Sequence, residues 1–254
     1  MVNEKLKTSF GKLSKIYDKV RPDYPEKLID DIIKISNISN DANILEIGTG
    51  TGKATLPFTK KGYKITTIDI SKEQINIAKS NLSKYSNVKY IVSAFEESNL
   101  PKEHYDLVFS AQTFPWIEPN VGFKKVSRIL KNNGYFAIFY NQRMKNNVFE
   151  QNLRKLYLKH CPDLNKGEED KTLFKMKKGL KSTGKFDEIK IKNYKRVIKY
   201  TREKYIGLIN SLSYVSTLPK EKKLSFFKDL NKILGDKKTL FVPTKSTLII
   251  AKKK

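Results

Sequence analysis

A single cysteine, two histidines and one tryptophan are all that 254 residues hold of these types. Cys161, being alone, cannot close an intramolecular disulfide, and with only His104 and His160 beside it no ligand spacing for a metal centre appears, so no metal is expected. Both histidines read as surface residues. No apolar run approaches the ~20 residues of a membrane helix. The longest apolar-looking stretch, LVFSAQTFPWI (107–117), is short and carries polar residues. The opening MVNEKLKTSF has no continuous apolar segment of the secretory kind, so the expected location is the cytoplasm, with no membrane partner. Arginine is scarce, occurring at 21, 128, 143, 154, 196 and 202 within a Lys+Arg total of 51 against 26 Asp+Glu. The resulting charge of +25 would suit nucleic acid. Specific phosphate and base readers concentrate arginine, however, and here lysine is spread over the whole length, so a solvated lysine surface is favoured over a nucleic-acid footprint.

What is present is a globular composition, 39% hydrophobic and 11% aromatic, long enough for one large domain over 1–254. EKLIDDIIKIS (26–36) has helical apolar spacing, NILEI (43–47) reads as a short buried strand, and YKITTIDI (63–70) as a second. Ser71 with Gln74 makes an S-x-x-Q capping box that opens the helix KEQINIAKSNL. VKYIVSA (88–94), YDLVFSA (105–111) and YFAIFYN (135–141) are further strands, with a helix over 122–134 ending at Asn133-Gly134. Near-continuous apolar strands alternating with helices predict an α/β, doubly wound, Rossmann-like parallel sheet, which binds ligands beyond the carboxyl ends of its strands. Past 141 the pattern changes: 142–184 reads as helices with a polar loop and 188–200 as a long strand. Two helices follow, and TLFVPTKSTLIIAKK closes as a strand pair or bent strand.

The glycines of NILEIGTGTGK (43–53) raise the question of which nucleotide they meet. A P-loop needs G-x-x-x-x-G-K-[ST], yet position 47 is Ile and position 54 is Ala. A dinucleotide fold needs G-x-G-x-x-G, whereas Gly48, Gly50 and Gly52 give G-x-G-x-G. Glu46, just before the first glycine, would oppose a phosphate but attract an ammonium, and it could also act through water or simply brace the loop. Asp69, at the end of the second strand, can accept both hydroxyls of a ribose. A ribose, an ammonium and no phosphate describe S-adenosylmethionine.

LEIGTGTG with Asp69 resembles the motifs of class I S-adenosylmethionine-dependent methyltransferases. YDKVRPDYP, SAQTFPWIEP and RILKNNGYFAIF are similar to the type 11 subgroup acting on small molecules, most strongly over 10–141. The resemblance implies a seven-stranded sheet with a final antiparallel strand drawn from 188–200 and 240–252. It also implies a cofactor-binding core over 26–141, helical lid elements in 1–25 and 142–235, and closing strands in 236–254. Further implied are S-adenosylmethionine as cofactor, S-adenosylhomocysteine as product, and a small-molecule methyl acceptor. Cofactor contacts then fall to Glu46, Gly48, Thr49, Gly50, Gly52, Asp69 and Ile70, with Ala94, Phe95 and Glu96 beside adenine and Ser110 and Ala111 near the sulfonium. Gln112, Trp116 and Tyr17 are the substrate-side candidates, and Tyr17 could also face the sulfonium through a cation–π contact. Arg21 could clamp the methionine carboxylate, or pair locally with Asp18 or Asp23. Phe95 could equally be ordinary core.

Related sequences often have His before the Trp; here Pro115 stands there, which removes a candidate general base. Adenine amino-methylation usually needs [DNS]-P-P-[YFW] after strand four to hold a flipped base, and SAQTFPW has no Pro-Pro. Cytosine C5 chemistry needs a cysteine near strands four or five, and Cys161 lies well beyond.

Overall fold

The structure, a computed structural model, describes residue 18 and residues 20–144, 148–161 and 168–254. In chain order the elements are α1 (Glu26–Ser36), β1 (Ile44–Ile47), α2 (Thr55–Lys60), β2 (Ile65–Asp69), α3 (Lys72–Asn81), β3 (Val88–Val92) and β4 (Tyr105–Ala111). A 3-10 turn (Phe114–Trp116), α4 (Pro119–Ile129), β5 (Leu130–Arg143), α5 (Val148–His160) and α6 (Glu168–Ser182) follow. The chain ends with β6 (Phe186–Thr201), α7 (Arg202–Asn210), α8 (Ser213–Ser216), α9 (Lys220–Leu234) and β7 (Thr239–Lys253).

The seven strands lie in the order β3-β2-β1-β4-β5-β7-β6. β1 pairs in parallel with β2 and β4, β2 with β3, and β4 with β5. β7 runs the other way. Along it Pro243, Ser246 and Lys253 bond Met144, Asn141 and Leu130 in descending order, and Thr247 and Lys254 meet Asn193 and Lys185. This is the antiparallel strand that the family resemblance implies, and TLFVPTKSTLIIAKK is one continuous strand.

The chain divides into two compact units: residues 23–141, 169–194 and 246–254 in the first, and the described parts of 1–22, 142–168 and 195–245 in the second. In the first, side-chain alternation along each strand sorts the core onto two faces. Leu45, Ile47, Val108, Phe136, Ile138 and Ile249 pack with α4 and α6 residues such as Phe123, Val126, Met176 and Leu180. Ile44, Leu107, Phe109, Ala137, Phe139 and Leu248 pack with Leu28, Ile32 and Phe58 of α1 and α2. Helices thus cover both faces, the doubly wound arrangement that the near-continuous apolar strands dictate. The second unit has its own core, including Leu153, Tyr157, Tyr205, Ile209, Phe226, Leu230 and Val242.

Two readings need correction. The helix expected over 122–134 runs Pro119–Ile129, and 130–134 belongs to β5. Leu130, fully buried, pairs with Tyr105 and then Tyr135 with Leu107, so the intervening residues bulge. Asn133 takes its left-handed φ of 65° in that bulge rather than at a helix end. His160, expected at the surface, is buried: its Nε2 lies 3.0 Å from Asp229 Oδ2 and its ring sits edge-on to Phe226. His104 is exposed as expected.

Candidate active site

The carboxyl ends of β1, β2, β3 and β4 gather the loops that hold most of the expected site residues. Gly48, Gly50 and Gly52 all have positive φ, at 80°, 55° and 87°. Only glycine adopts three such angles in five residues without strain. At Gly48 the requirement is also steric, because a Cβ there would overlap the Thr113 side chain, in the loop after β4. The loop is pinned from several sides: Gly48 N and Thr49 N donate to Ile68 O, Gly52 N donates to Thr49 O, and Asn81 Nδ2 donates to Thr51 O.

Asp69 holds the loop to the start of α3. Its Oδ2 accepts from Gly50 N at 2.8 Å and its Oδ1 from Ser71 N at 2.9 Å. Ser71 Oγ in turn accepts from Gln74 N, the capping bond expected there. Burial pushes the Asp69 carboxyl up, while these backbone N–H groups pull it down.

Glu46 lies beneath the glycine loop, bonded to α2. Strand parity puts it on the same face as Ile44, beneath the loop, where Thr55 at the start of α2 donates its hydroxyl to Glu46 Oε2. The carboxyl is fully enclosed and its Oε1 has no hydrogen-bond partner among the described residues. Burial pushes its pKa up from 4.5 to about 8, opposed by the Thr55 bond and helped by the Asp69 charge. At neutral pH it is mainly a protonated brace, which is the bracing role the sequence leaves open. Thr55 carries no sequence signal of its own; it becomes visible only once α2 is packed on that face.

The other expected residues divide. Ile70 is half-exposed beside Asp69, and Ala94 and Glu96 are partly buried after β3. Phe95 is buried in the core, with Lys125 Nζ 5.1 Å from its ring centroid. Ser110 is buried and donates to Ile47 O at 2.8 Å, tying β4 to the end of β1. Ala111 is buried and ends β4. Gln112 takes a left-handed φ of 65°, with its N bonded to Phe139 O and its Nε2 to Asn141 O. A non-glycine residue held there is the kind of strain that gathers at functional positions. Trp116 is partly buried in the 3-10 turn. Arg21 belongs to the second unit, where it donates to Ser211 Oγ at 3.2 Å and Ser211 O at 3.3 Å. Tyr17 lies outside the described residues. Among the described residues no group of three His, Cys, Asp or Glu could hold a metal ion, and no helix is long and apolar enough to cross a membrane.

Whether these loops suit a nucleoside with an amino-acid tail is tested by their unsatisfied atoms. Thr49 Oγ1 and Thr51 Oγ1 are buried in the glycine loop without a hydrogen-bond partner among the described residues. Buried hydroxyls without partners cost ~1–3 kcal/mol each, so the loop holds unspent hydrogen-bonding capacity that a polar ligand would fit.

The methyltransferase domain family (type 11) matches residues 45–138. A malonyl-[acyl-carrier protein] O-methyltransferase of Ilyobacter polytropus is 31% identical over 230 residues, covering 86% of each chain. Among solved structures, the YcgJ protein of Bacillus subtilis superposes with a TM-score of 0.58 at 16% identity, covering 91% of this chain and 99% of its own. A phosphoethanolamine N-methyltransferase 2 of Haemonchus contortus, in complex with S-adenosyl-L-methionine, gives a TM-score of 0.53 at 18% identity, covering 89% and 52%.

Proposed function

The chain belongs to the class I S-adenosylmethionine-dependent methyltransferases of the type 11 kind, and from that premise we propose that it methylates a small molecule at the carboxyl-end loops of β1 to β4. The observation that carries this reading is the glycine loop locked to Asp69 through Gly50 N, with two unpartnered threonine hydroxyls inside it. Gly48, Thr49, Gly50 and Gly52 hold the amino-acid end of the cofactor, and Glu46 supports them from beneath through Thr55. Asp69 keeps a lone pair on each oxygen for the ribose hydroxyls after accepting from Gly50 and Ser71. Ile70, Ala94, Phe95 and Glu96 border the adenine, Phe95 as a fixed wall. Ser110 and Ala111 form the floor at the end of β4, with Gln112 and Trp116 on the acceptor side.

When bound, S-adenosylmethionine supplies a methyl group on a sulfonium, whose departure leaves the bonding electrons on sulfur. The residues contribute position: holding reacting atoms in line can be worth ~7–11 kcal/mol. Neither His104, which is exposed, nor His160, in the second unit, belongs to these loops. An acceptor atom that is already a free lone pair at neutral pH therefore fits better than one of high pKa.

RNA is the competing acceptor class, motivated by the charge of +25. Incubation with methyl-labelled S-adenosylmethionine and either a metabolite extract or total RNA separates the two. Label in the low-mass fraction supports the small-molecule reading. Label confined to RNA, with affinity falling steeply on a log–log salt plot, overturns it.

A further inference from the structure

The loop after β4 rests on the glycine loop through one side chain. A Cβ on Gly48 would overlap Oγ1, Cβ and Cγ2 of Thr113, so the whole threonine side chain lies against the bare Cα of Gly48. Gly48 is held in turn by its N, which donates to Ile68 O at 2.8 Å. Thr113 is held from its own side, its Oγ1 donating to Ala111 O at 3.3 Å. Its carbonyl accepts from Trp116 N at 2.9 Å, closing the 3-10 turn that carries the chain's only tryptophan. The far side of this turn is fastened to the core by buried Ile117 and by Phe114, which meets Phe123 and Phe136 edge-on, each with ring centroids 4.8 Å away. At the start of the turn, Gln112 is kept at its φ of 65° by its N bond to Phe139 O.

From Gly48 to Trp116 the path is therefore one van der Waals contact and one hydrogen bond. We infer that Thr113 is a positioning residue: seated on Gly48, it ties the acceptor-side turn to the glycine loop, so that occupancy of that loop by cofactor is felt at Trp116. The inference rests on the cofactor site proposed above. Close-packed contacts are poorly compressible, so a loop fixed by a ligand fixes what is packed against it. Threonine suits the task because its Cβ branch is stiff and both branches bear on the glycine. Shape carries the contact more than the hydroxyl does, since two of the three overlapping atoms are carbon. A side chain without the branch would leave a gap at the Gly48 Cα, and even a sub-ångström gap forfeits much of such a contact.

The test is acrylamide quenching of tryptophan fluorescence on the full chain, with and without S-adenosylhomocysteine, beside calorimetric titration of the same ligand. Because Trp116 is the only tryptophan, the signal belongs to the turn. In the wild type, bound S-adenosylhomocysteine is expected to lower the quenching. Thr113→Ala should raise quenching in the ligand-free chain. It should still bind S-adenosylhomocysteine within about threefold of the wild type, but the ligand should no longer protect Trp116. Thr113→Val, which keeps the branched shape and loses only the hydroxyl, should restore both readings. A side chain that merely stabilised the fold would lower the melting temperature when truncated and leave the ligand's effect on Trp116 in place. Protection of Trp116 in Thr113→Ala equal to the wild type, no protection in a wild type that binds the ligand, or Thr113→Val behaving like Thr113→Ala would each overturn the inference. Should the wild type not bind S-adenosylhomocysteine at all, the cofactor reading falls separately. The ligand-free comparison then decides: higher quenching in Thr113→Ala but not in Thr113→Val supports the seating on Gly48, and equal quenching overturns it. If Thr113→Ala fails to fold, Thr113→Ser, which removes only the methyl branch, takes its place with the same expected outcomes.

Discussion

The two units each bury a polar cluster, and the clusters are built on opposite plans. In the first unit the partners are close in sequence: Thr55 meets Glu46 across 9 residues, and Gly50 meets Asp69 across 19. The Asp69 contacts use backbone N–H groups, of which glycine leaves that of Gly50 uncovered. In the second unit Arg143 reaches Tyr205 of α7 across 62 residues as well as Glu150 and Tyr157 of α5 nearer by, and each of these contacts is between side chains. Contacts made by backbone that glycine leaves bare can be read from the sequence, whereas contacts between side chains, Thr55 with Glu46 as much as Arg143 with Tyr205, exist only after folding.

If the first cluster depends on bare backbone, the largest effect should come from covering it. Gly48→Ala places a methyl group on Thr113 and forces an L residue to φ 80°. The expected loss is about 2–6 kcal/mol of stability, together with cofactor binding, measured by chemical denaturation and S-adenosylhomocysteine titration. Adding Thr113→Gly should restore part of the stability but not all, since the strained φ remains. Full restoration would show that only the clash matters.

Asp69→Ala comes next. It leaves Gly50 N and Ser71 N without their acceptor, which should cost about 1–3 kcal/mol and abolish the thermal shift with S-adenosylhomocysteine. A variant that loses stability yet keeps the shift would make Asp69 a loop brace only.

Glu46→Gln reads the buried carboxyl through pH. The folded pKa of about 8 lies above the ordinary 4.5, so the folded state keeps a proton that the unfolded state loses. Stability should therefore fall as pH rises from about 4.5 to 8 and level off above, with a slope of at most ~1.4 kcal/mol per pH unit. Gln can accept the same Thr55 hydrogen bond without ionising, so the variant should lose this slope and be the more stable protein at pH 8. Parallel stability curves for the two would contradict the buried, protonated carboxyl. The smallest effect belongs to Lys53→Ala: the Lys53–Asp23 pair at 2.9 Å is partly exposed, and its loss should change stability by less than about 1 kcal/mol.

The strands of the first unit were legible because a parallel sheet buried on both faces demands long apolar runs, and β4 falls on 105–111 as read. The glycine loop and its tie to Asp69 were legible because φ and hydrogen-bond geometry restrict residue choice locally. The end of α4 was not. Asn133-Gly134 suits a helix end and a strand bulge equally, and the choice between them rests on Leu130 finding Tyr105 in the sheet. The burial of His160 depends on Asp229 and Phe226 arriving from α9, which nothing near residue 160 announces. Glu46 was placed correctly in sequence, but its direction required knowing which face α2 covers.

The central claim is that Asp69 and the glycine loop form a phosphate-free nucleoside site. Calorimetric titration of S-adenosylhomocysteine against NAD and ATP, on the wild-type chain and the Asp69→Ala variant, addresses it directly. Binding of S-adenosylhomocysteine alone, lost in the variant, is the predicted result; binding of NAD or ATP, or undiminished S-adenosylhomocysteine affinity in Asp69→Ala, would contradict it.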